Sequence, residues 1–204
     1  LALVAGATNR QVFSLMAKPD IKRIVDLKGK KIGITRVGSS THTSALYALG
    51  SAGLRPADYQ LLPLLEVPNI FTALSAGQID AGVVSPPTNA RAKKAGFIEL
   101  MNVAKDGPEF VSVAIGTSRN YIRSNEETVR RVVRAYAEGV QTFKTNKPAA
   151  LKMIQNQLKV KEPEIAEDTY NQFREYLEYP PYVSRKGMEA VLAEIVEKDP
   201  SARS

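Results

Sequence analysis

The run Val37-Gly38-Ser39-Ser40-Thr41-His42 follows the apolar stretch Lys30–Thr35 and leads into residues with helical spacing. Where a strand turns directly into a helix, the first helical N–H groups lack intrahelical partners, and the helix dipole adds partial positive charge. Such an end is an anion pocket. Gly38 lets the backbone come close to a ligand, and Ser39, Ser40 and Thr41 add hydroxyl donors. The same residues also read as a plain N-cap, which needs only one of those hydroxyls. Arg36 ends the strand, where it either neutralises an anionic group or faces solvent. His42 either donates to a ligand or sits solvated in the first helical turn.

Three further places carry polar or aromatic groups. Ser85-Pro86-Pro87 ends another strand of the same region, on the side where open α/β sheets bind ligands. The two prolines also suffice to set the turn and start a helix. Asn9 lies between two short front strands, near the point where the chain is expected to pass from one lobe to the other. Tyr179-Pro180-Pro181-Tyr182 offers aromatic surface either to a ligand or partner or to plain packing.

The elements that must hold these residues repeat one theme from Lys30 to Val103: a strand ends, a polar or proline-marked turn opens a helix, and a glycine closes it. Strand Lys30–Thr35 leads to a helix with Leu46, Leu49 and Ala52 on one face. Gly53 suits the left-handed position after that helix. Leu61–Leu65 follows as a strand in which Pro63 marks an edge or bulge. A helix starts at Pro68 and closes at Gly77; then come strand Ala81–Ser85, a helix to Ala95 and strand Phe97–Val103. This alternation predicts right-handed crossovers and a mainly parallel sheet.

Beyond Gly107-Pro108 the pattern changes. Val111, Val113 and Ile115 alternate as in a half-buried strand. Ser124 with Glu127 reads as a capping box for a long helix whose Val129, Val132, Val133, Tyr136, Val140 and Phe143 share a face. Pro148 and Pro163 start two more helices, and a last one begins near Ser184. Leu1–Ala7 and Val12–Ala17 read as two short strands with no helix before them. The economical assembly puts residues 1–26 and 107–204 in one lobe, the former a remnant of it plus the hinge, with 27–106 as a second lobe. Crossing points are expected near Ala17–Pro19 and Gly107–Val111.

Composition removes several classes of function. The 204 residues are 44% hydrophobic and 24% charged, as in an ordinary globular protein. No apolar run approaches the ~20 residues of a membrane-spanning helix. Without cysteine there is no disulfide, thiolate metal site or thiol nucleophile, and the single histidine, His42, argues against a metal centre. No catalytic residues, cofactor or metal are expected. The net charge of +7 is spread over helix faces, as in Glu126-Glu127 before Arg130-Arg131, so nucleic acid is not an expected partner. The opening Leu1–Ala7 is too short and uncharged for a signal peptide, and the chain is expected to be an internal piece of a longer precursor.

The phrase Asp26-Leu27-Lys28-Gly29-Lys30-Lys31-Ile32-Gly33-Ile34, with Gly38–Thr41, Gly53-Leu54, Ala76–Ala81 and Ser85–Pro87 in that order, resembles the binding proteins for alkanesulfonates, taurine and nitrate. That family also contains the thiamine-pyrimidine-precursor binders. The resemblance implies an α/β, two-lobed type II periplasmic-binding-protein-like fold. In it, each lobe is a mainly parallel sheet flanked by helices, and here the first lobe is incomplete. It implies a solute-binding protein that passes a small, anionic ligand to the permease of an ABC transporter. Such a protein is monomeric and either periplasmic or exported and membrane-anchored. The ligand-binding residues expected are Gly38, Ser39, Ser40, Thr41, Ser85, Pro86 and Asn9.

Two other functions share the architecture. One is the ligand-sensing effector domain of a transcription regulator, which calls for a helix-turn-helix that the sequence does not show. The other resembles the thiamine-pyrimidine synthases, whose cysteine-rich iron-binding run has no counterpart here. A chain lacking sheet partners in its first lobe is further expected to be poorly stable alone.

Overall fold

The structure, a computed structural model, describes residues 1–199. The strands are β1 (Ala2–Thr8), β2 (Ser14–Ala17), β3 (Lys31–Ile34), β4 (Gln60–Pro63), β5 (Ala81–Val84), β6 (Ile98–Asn102) and β7 (Val113–Thr117). The helices are α1 (Ser40–Ser51), α2 (Val67–Ser75), α3 (Thr88–Lys94), α4 (Val103–Asp106), α5 (Arg119–Ser124), α6 (Glu126–Thr145), α7 (Lys147–Gln157), α8 (Pro163–Tyr176) and α9 (Arg185–Lys198). The chain divides into two compact units. One holds Leu1–Gln11, Pro108–Lys159 and the residues from Tyr170 on; the other holds Val12–Gly107 and Val160–Thr169.

The second unit is a five-stranded sheet in the order β4-β3-β5-β2-β6. β3 runs parallel to β4 and β5, whereas β2 runs antiparallel to both its neighbours, β5 and β6. Both faces are covered. On one, Leu15, Ala17, Ile32, Ile34, Ala81 and Val83 pack with Ala45, Ala48 and Leu49 of α1. On the other, Met16 and Val84 pack with Ile70 and Leu74 of α2 and Ala92 of α3. Strands buried on both sides need apolar runs rather than strict alternation, which is why Lys31–Ile34 and Ala81–Val84 read as they do. Gly53 takes φ +79° just past α1, and the Leu54 N–H returns to the Leu49 carbonyl, closing the helix as its sequence predicts. Its buried face is Thr41, Ser44, Ala45, Ala48 and Leu49, so Leu46 lies at its margin.

Four expectations are corrected. β2 belongs to this sheet rather than to the front lobe: all four of its residues are buried, with Ser14 opposite both Val84 and Asn102. The chain therefore changes unit at Gln11–Val12, not near Ala17–Pro19, and the second unit begins well before residue 27. Val160–Thr169 joins it too; Lys94 of α3 pairs there with Glu164 at the start of α8. In the first unit the described sheet is a single antiparallel pair, β1 with β7. The parallel pattern came wholly from residues now in the second unit.

The first unit is otherwise helical. Val140 and Phe143 of α6 are buried, as are Ala150 and Ile154 of α7, and the rings of Phe143 and Tyr170 lie 5.4 Å apart. The Ser124–Glu127 capping box does not form, because Ser124 is the last residue of α5 and Asn125 precedes α6 without a side-chain cap bond. Val132 is 47% exposed, so the apolar stripe of α6 is only partly covered. Tyr136, Gly139, Phe143, Met153, Leu158 and Phe173 line an open apolar cavity of about 470 Å³.

Candidate functional site

The site is built at one edge of the second unit's sheet. Gly33 pairs with Gly82 in the parallel β3–β5 ladder, so the segments leaving Ile34 and Val84 emerge side by side. β2 starts at that edge with Ser14, and β6 ends there with Asn102. The Arg36–Thr41 turn and the Ser85–Pro87 turn are thereby brought together, at the carboxyl ends of parallel strands where open α/β sheets place ligands.

Within the first turn the four expected residues differ in what they can still do. Gly38 adopts φ +81°, which a side chain would resist, and its N–H donates to Nδ1 of His42 at 3.1 Å. The Ser39 hydroxyl is the N-cap: it accepts from the His42 N–H and donates to the Arg36 carbonyl at 2.7 Å. Thr41 is 3% exposed, and its hydroxyl accepts the Thr35 N–H at 2.9 Å. The hydroxyls of Thr35, Ser39 and Thr41 lie within 2.8–2.9 Å of one another and satisfy each other. The hydroxyls of Ser39 and Thr41 thus shape the loop.

Ser40 is the exception. It is exposed at the first helical position, and its hydroxyl has no partner among the described residues. The backbone N–H groups of Ser40 and Thr41 likewise have none there. The Arg36 guanidinium is exposed and engages no carboxylate among those residues. Two amides, one hydroxyl and the positive end of a 12-residue helix thus meet at one turn, which begins at Arg36.

The neighbouring turn is tighter. Pro86 is buried, the Pro86–Pro87 peptide is cis, and the Ser85 carbonyl accepts from the N–H groups of Thr88 (2.8 Å) and Asn89 (3.1 Å). The Ser85 hydroxyl is half-buried and has no partner among the described residues. Pro86 can offer only carbon surface, since a proline lacks an N–H.

Asn9 directly follows β1. It belongs to the first unit, 8% exposed, with its Nδ2 donating to the Tyr182 carbonyl at 2.9 Å and its Oδ1 accepting the Ser184 N–H at 3.0 Å. Its amide clamps residues 182–184 against the end of β1, and the N–H of Gly6 donates to the Pro181 carbonyl beside it. Tyr179 and Tyr182 are 45% and 75% exposed.

Two features escaped the sequence reading. Leu65 has φ +70° and is 71% exposed, with its N–H on the Thr35 carbonyl. A leucine there is strained, and Leu65 follows an edge strand whose irregularity only Pro63 announced. Ser14 and Asn89 are buried polar residues behind the Ser85 turn; a strand start and a first helical turn gave no sign of them.

The described geometry is that of an α/β sheet with a helix start open to an anion at the carboxyl ends of its parallel strands. By sequence the chain belongs to the family described as NMT1/THI5 like, whose model matches residues 1–150. A binding protein of Brucella abortus is 31% identical over 147 residues, 70% of this chain and 45% of that relative. The aliphatic sulfonates-binding protein of Escherichia coli is 24% identical over 188 residues, 92% of this chain and 56% of that one. The chain spans about half the length of these relatives. Among solved structures, the alkanesulfonate-binding protein of Xanthomonas axonopodis bound to MOPS superposes with a TM-score of 0.78 at 22% identity, covering 98% of this chain and 68% of that one. A desulfurization enzyme complexed with biphenyl-2-sulfinic acid gives 0.67 at 15%, covering 96% and 71%. The chain therefore has the fold of the sulfonate-binding proteins, a fold that also carries an enzyme.

Among the described residues no group of three or more His, Asp or Glu side chains is placed to hold a metal ion, and no helix is long and apolar enough to cross a membrane.

Proposed function

We propose that the chain is the ligand-binding part of an exported solute-binding protein, which passes a small organic anion to an ABC importer. The anionic head rests on the N–H groups of Ser40 and Thr41, with the Ser40 hydroxyl donating beside them and Arg36 supplying positive charge. The Ser85 hydroxyl and the carbon face of Pro86 meet the rest of the molecule. The observation that carries this reading is the pair of amides opening α1, without partners among the described residues, at the carboxyl ends of the parallel strands. The names of the relatives, one a binding protein and another a sulfonates-binding protein, support it. The same kinship supports export, since a solved structure of similar fold is that of a periplasmic protein. The donors at the start of α1 support binding as the role of this turn.

Calorimetric titration of the chain with ethanesulfonate, acetate, nitrate and benzoate, each paired with a neutral analogue such as ethanol or acetamide, tests the reading. Saturable heat from at least one anion and none from its neutral partner is expected. Binding of neutral compounds alone contradicts it.

A further inference from the structure

Behind the Ser85–Pro87 turn lies a closed ring of polar side chains. Asn89, wholly buried in the first turn of α3, donates from Nδ2 to the Ser14 hydroxyl at 3.1 Å. Ser14, 1% exposed at the start of β2, donates in turn to Oε1 of Glu99 on β6 at 2.6 Å. The other oxygen of that carboxylate, Oε2, meets the Lys93 ammonium at 2.9 Å. Lys93 lies four residues after Asn89 on α3, so the helix itself completes the ring. One carboxylate thus holds the helix at two successive turns, once directly and once through a serine.

We propose that Asn89 is a positioning residue of the binding site. Through Ser14 and Glu99 it fixes where α3 begins and hence where the Ser85 hydroxyl and the Pro86 ring stand. Apolar side chains pack a helix on a sheet as well as this ring does, and a buried polar ring is costly unless every member is satisfied. What the ring adds is direction. Hydrogen bonds fix a helix against sliding and rotation, whereas apolar contacts tolerate both. The Asn89 backbone N–H bonds the Ser85 carbonyl at 3.1 Å, so one residue grips the turn with its main chain and the sheet with its side chain. The inference rests on the reading of Ser85 and Pro86 as ligand contacts.

The test compares the unsubstituted chain with Asn89→Ala, Ser14→Ala and Ser14→Thr by hydrogen exchange and by calorimetry with ethanesulfonate. In both alanine variants the amides of Thr88 and Asn89 should exchange about tenfold faster, while those of Thr43 and Ser44 in α1 keep their rates. Ethanesulfonate affinity should fall about fivefold to tenfold in the same variants. Ser14→Thr, which keeps the hydroxyl, should restore both readings. Unchanged exchange at Thr88 and Asn89 overturns the proposal, and so does faster exchange with unaltered affinity. Faster exchange throughout α1 as well also overturns it, because the ring is then only a general support. If the unsubstituted chain binds neither ethanesulfonate nor the other anions, the proposed function itself fails and this inference with it.

Discussion

The hydroxyl of Thr41 accepts the backbone N–H of Thr35 at 2.9 Å, closing the turn between the end of β3 and the first turn of α1. Thr41 is 3% exposed, so water does not replace that acceptor when it is lost. Thr41→Val keeps the shape and the β-branching but leaves the Thr35 N–H unsatisfied. The cost should be about 1–3 kcal/mol in chemical denaturation. A change within a few tenths of a kcal/mol would show that the bond carries little of the turn's stability.

Ser40 separates the role of an amide from that of a fold. It sits at the first helical position, after Ser39 at φ −80° and ψ 169°, an extended conformation that a following proline accepts. Ser40→Pro therefore suits the helix start while removing both the N–H and the hydroxyl. The melting temperature should stay close to that of the parent, and affinity for the anion found by calorimetry should drop about tenfold or more. Equal loss of stability and binding would mean that the helix start, rather than its donors, was damaged.

At the opposite edge of the sheet, Asp80 ties three strands together. Its carboxylate accepts from the Lys18 ammonium at 2.9 Å and from the Lys31 N–H at 3.0 Å. Burial pushes the carboxyl up, yet the Lys31 amide and Lys18 outweigh it and hold Asp80 below its ordinary value of 3.8. A depressed value means stability that is complete above the unfolded-state pKa and lost as pH falls through the folded one. Asp80→Asn should cost about 1–2 kcal/mol at pH 7. The difference between the two proteins should shrink as pH drops below about 4. A gap that persists undiminished to pH 2 would assign the loss to packing.

Gly139 stands in mid-helix in α6, and a Cβ built there meets nothing within 4 Å. Gly139→Ala should raise stability by about 0.5–1 kcal/mol through helix propensity alone. A lower melting temperature would reveal an approach of backbone or side chain at that point.

What was legible in the sequence follows a physical boundary. From Lys31 to Asn102 each strand is followed by its own helix, and glycine and proline punctuate every joint, so those elements fall within a residue or two of where the sequence puts them. β2 was misplaced because its partners, β5 and β6, lie more than 60 residues away, and strand order leaves no local trace. A short apolar segment such as Val12–Ala17 fits a hairpin with β1 as well as it fits the middle of another sheet. α6 was overread for a related reason: periodicity shows that a face is apolar, not that anything covers it.

The site was legible as a place and not as a set of roles. Strand, glycine and three hydroxyl residues locate an anion-receptive turn. Which hydroxyls turn inward depends on Thr35, whose part as their hydrogen-bond hub is visible only in three dimensions. The backbone-clamping part of Asn9 was not legible, because an asparagine between strands carries no sign of which main-chain groups its amide will reach.

The most direct test is an amide-resolved NMR titration of the chain with ethanesulfonate, with ethanol as control. The resonances of Ser40 and Thr41 should move most, along one saturating curve with that of the Ser85 amide, and stay still with ethanol. Shifts centred on other residues, or equal responses to ethanol, would contradict an anion site at the start of α1.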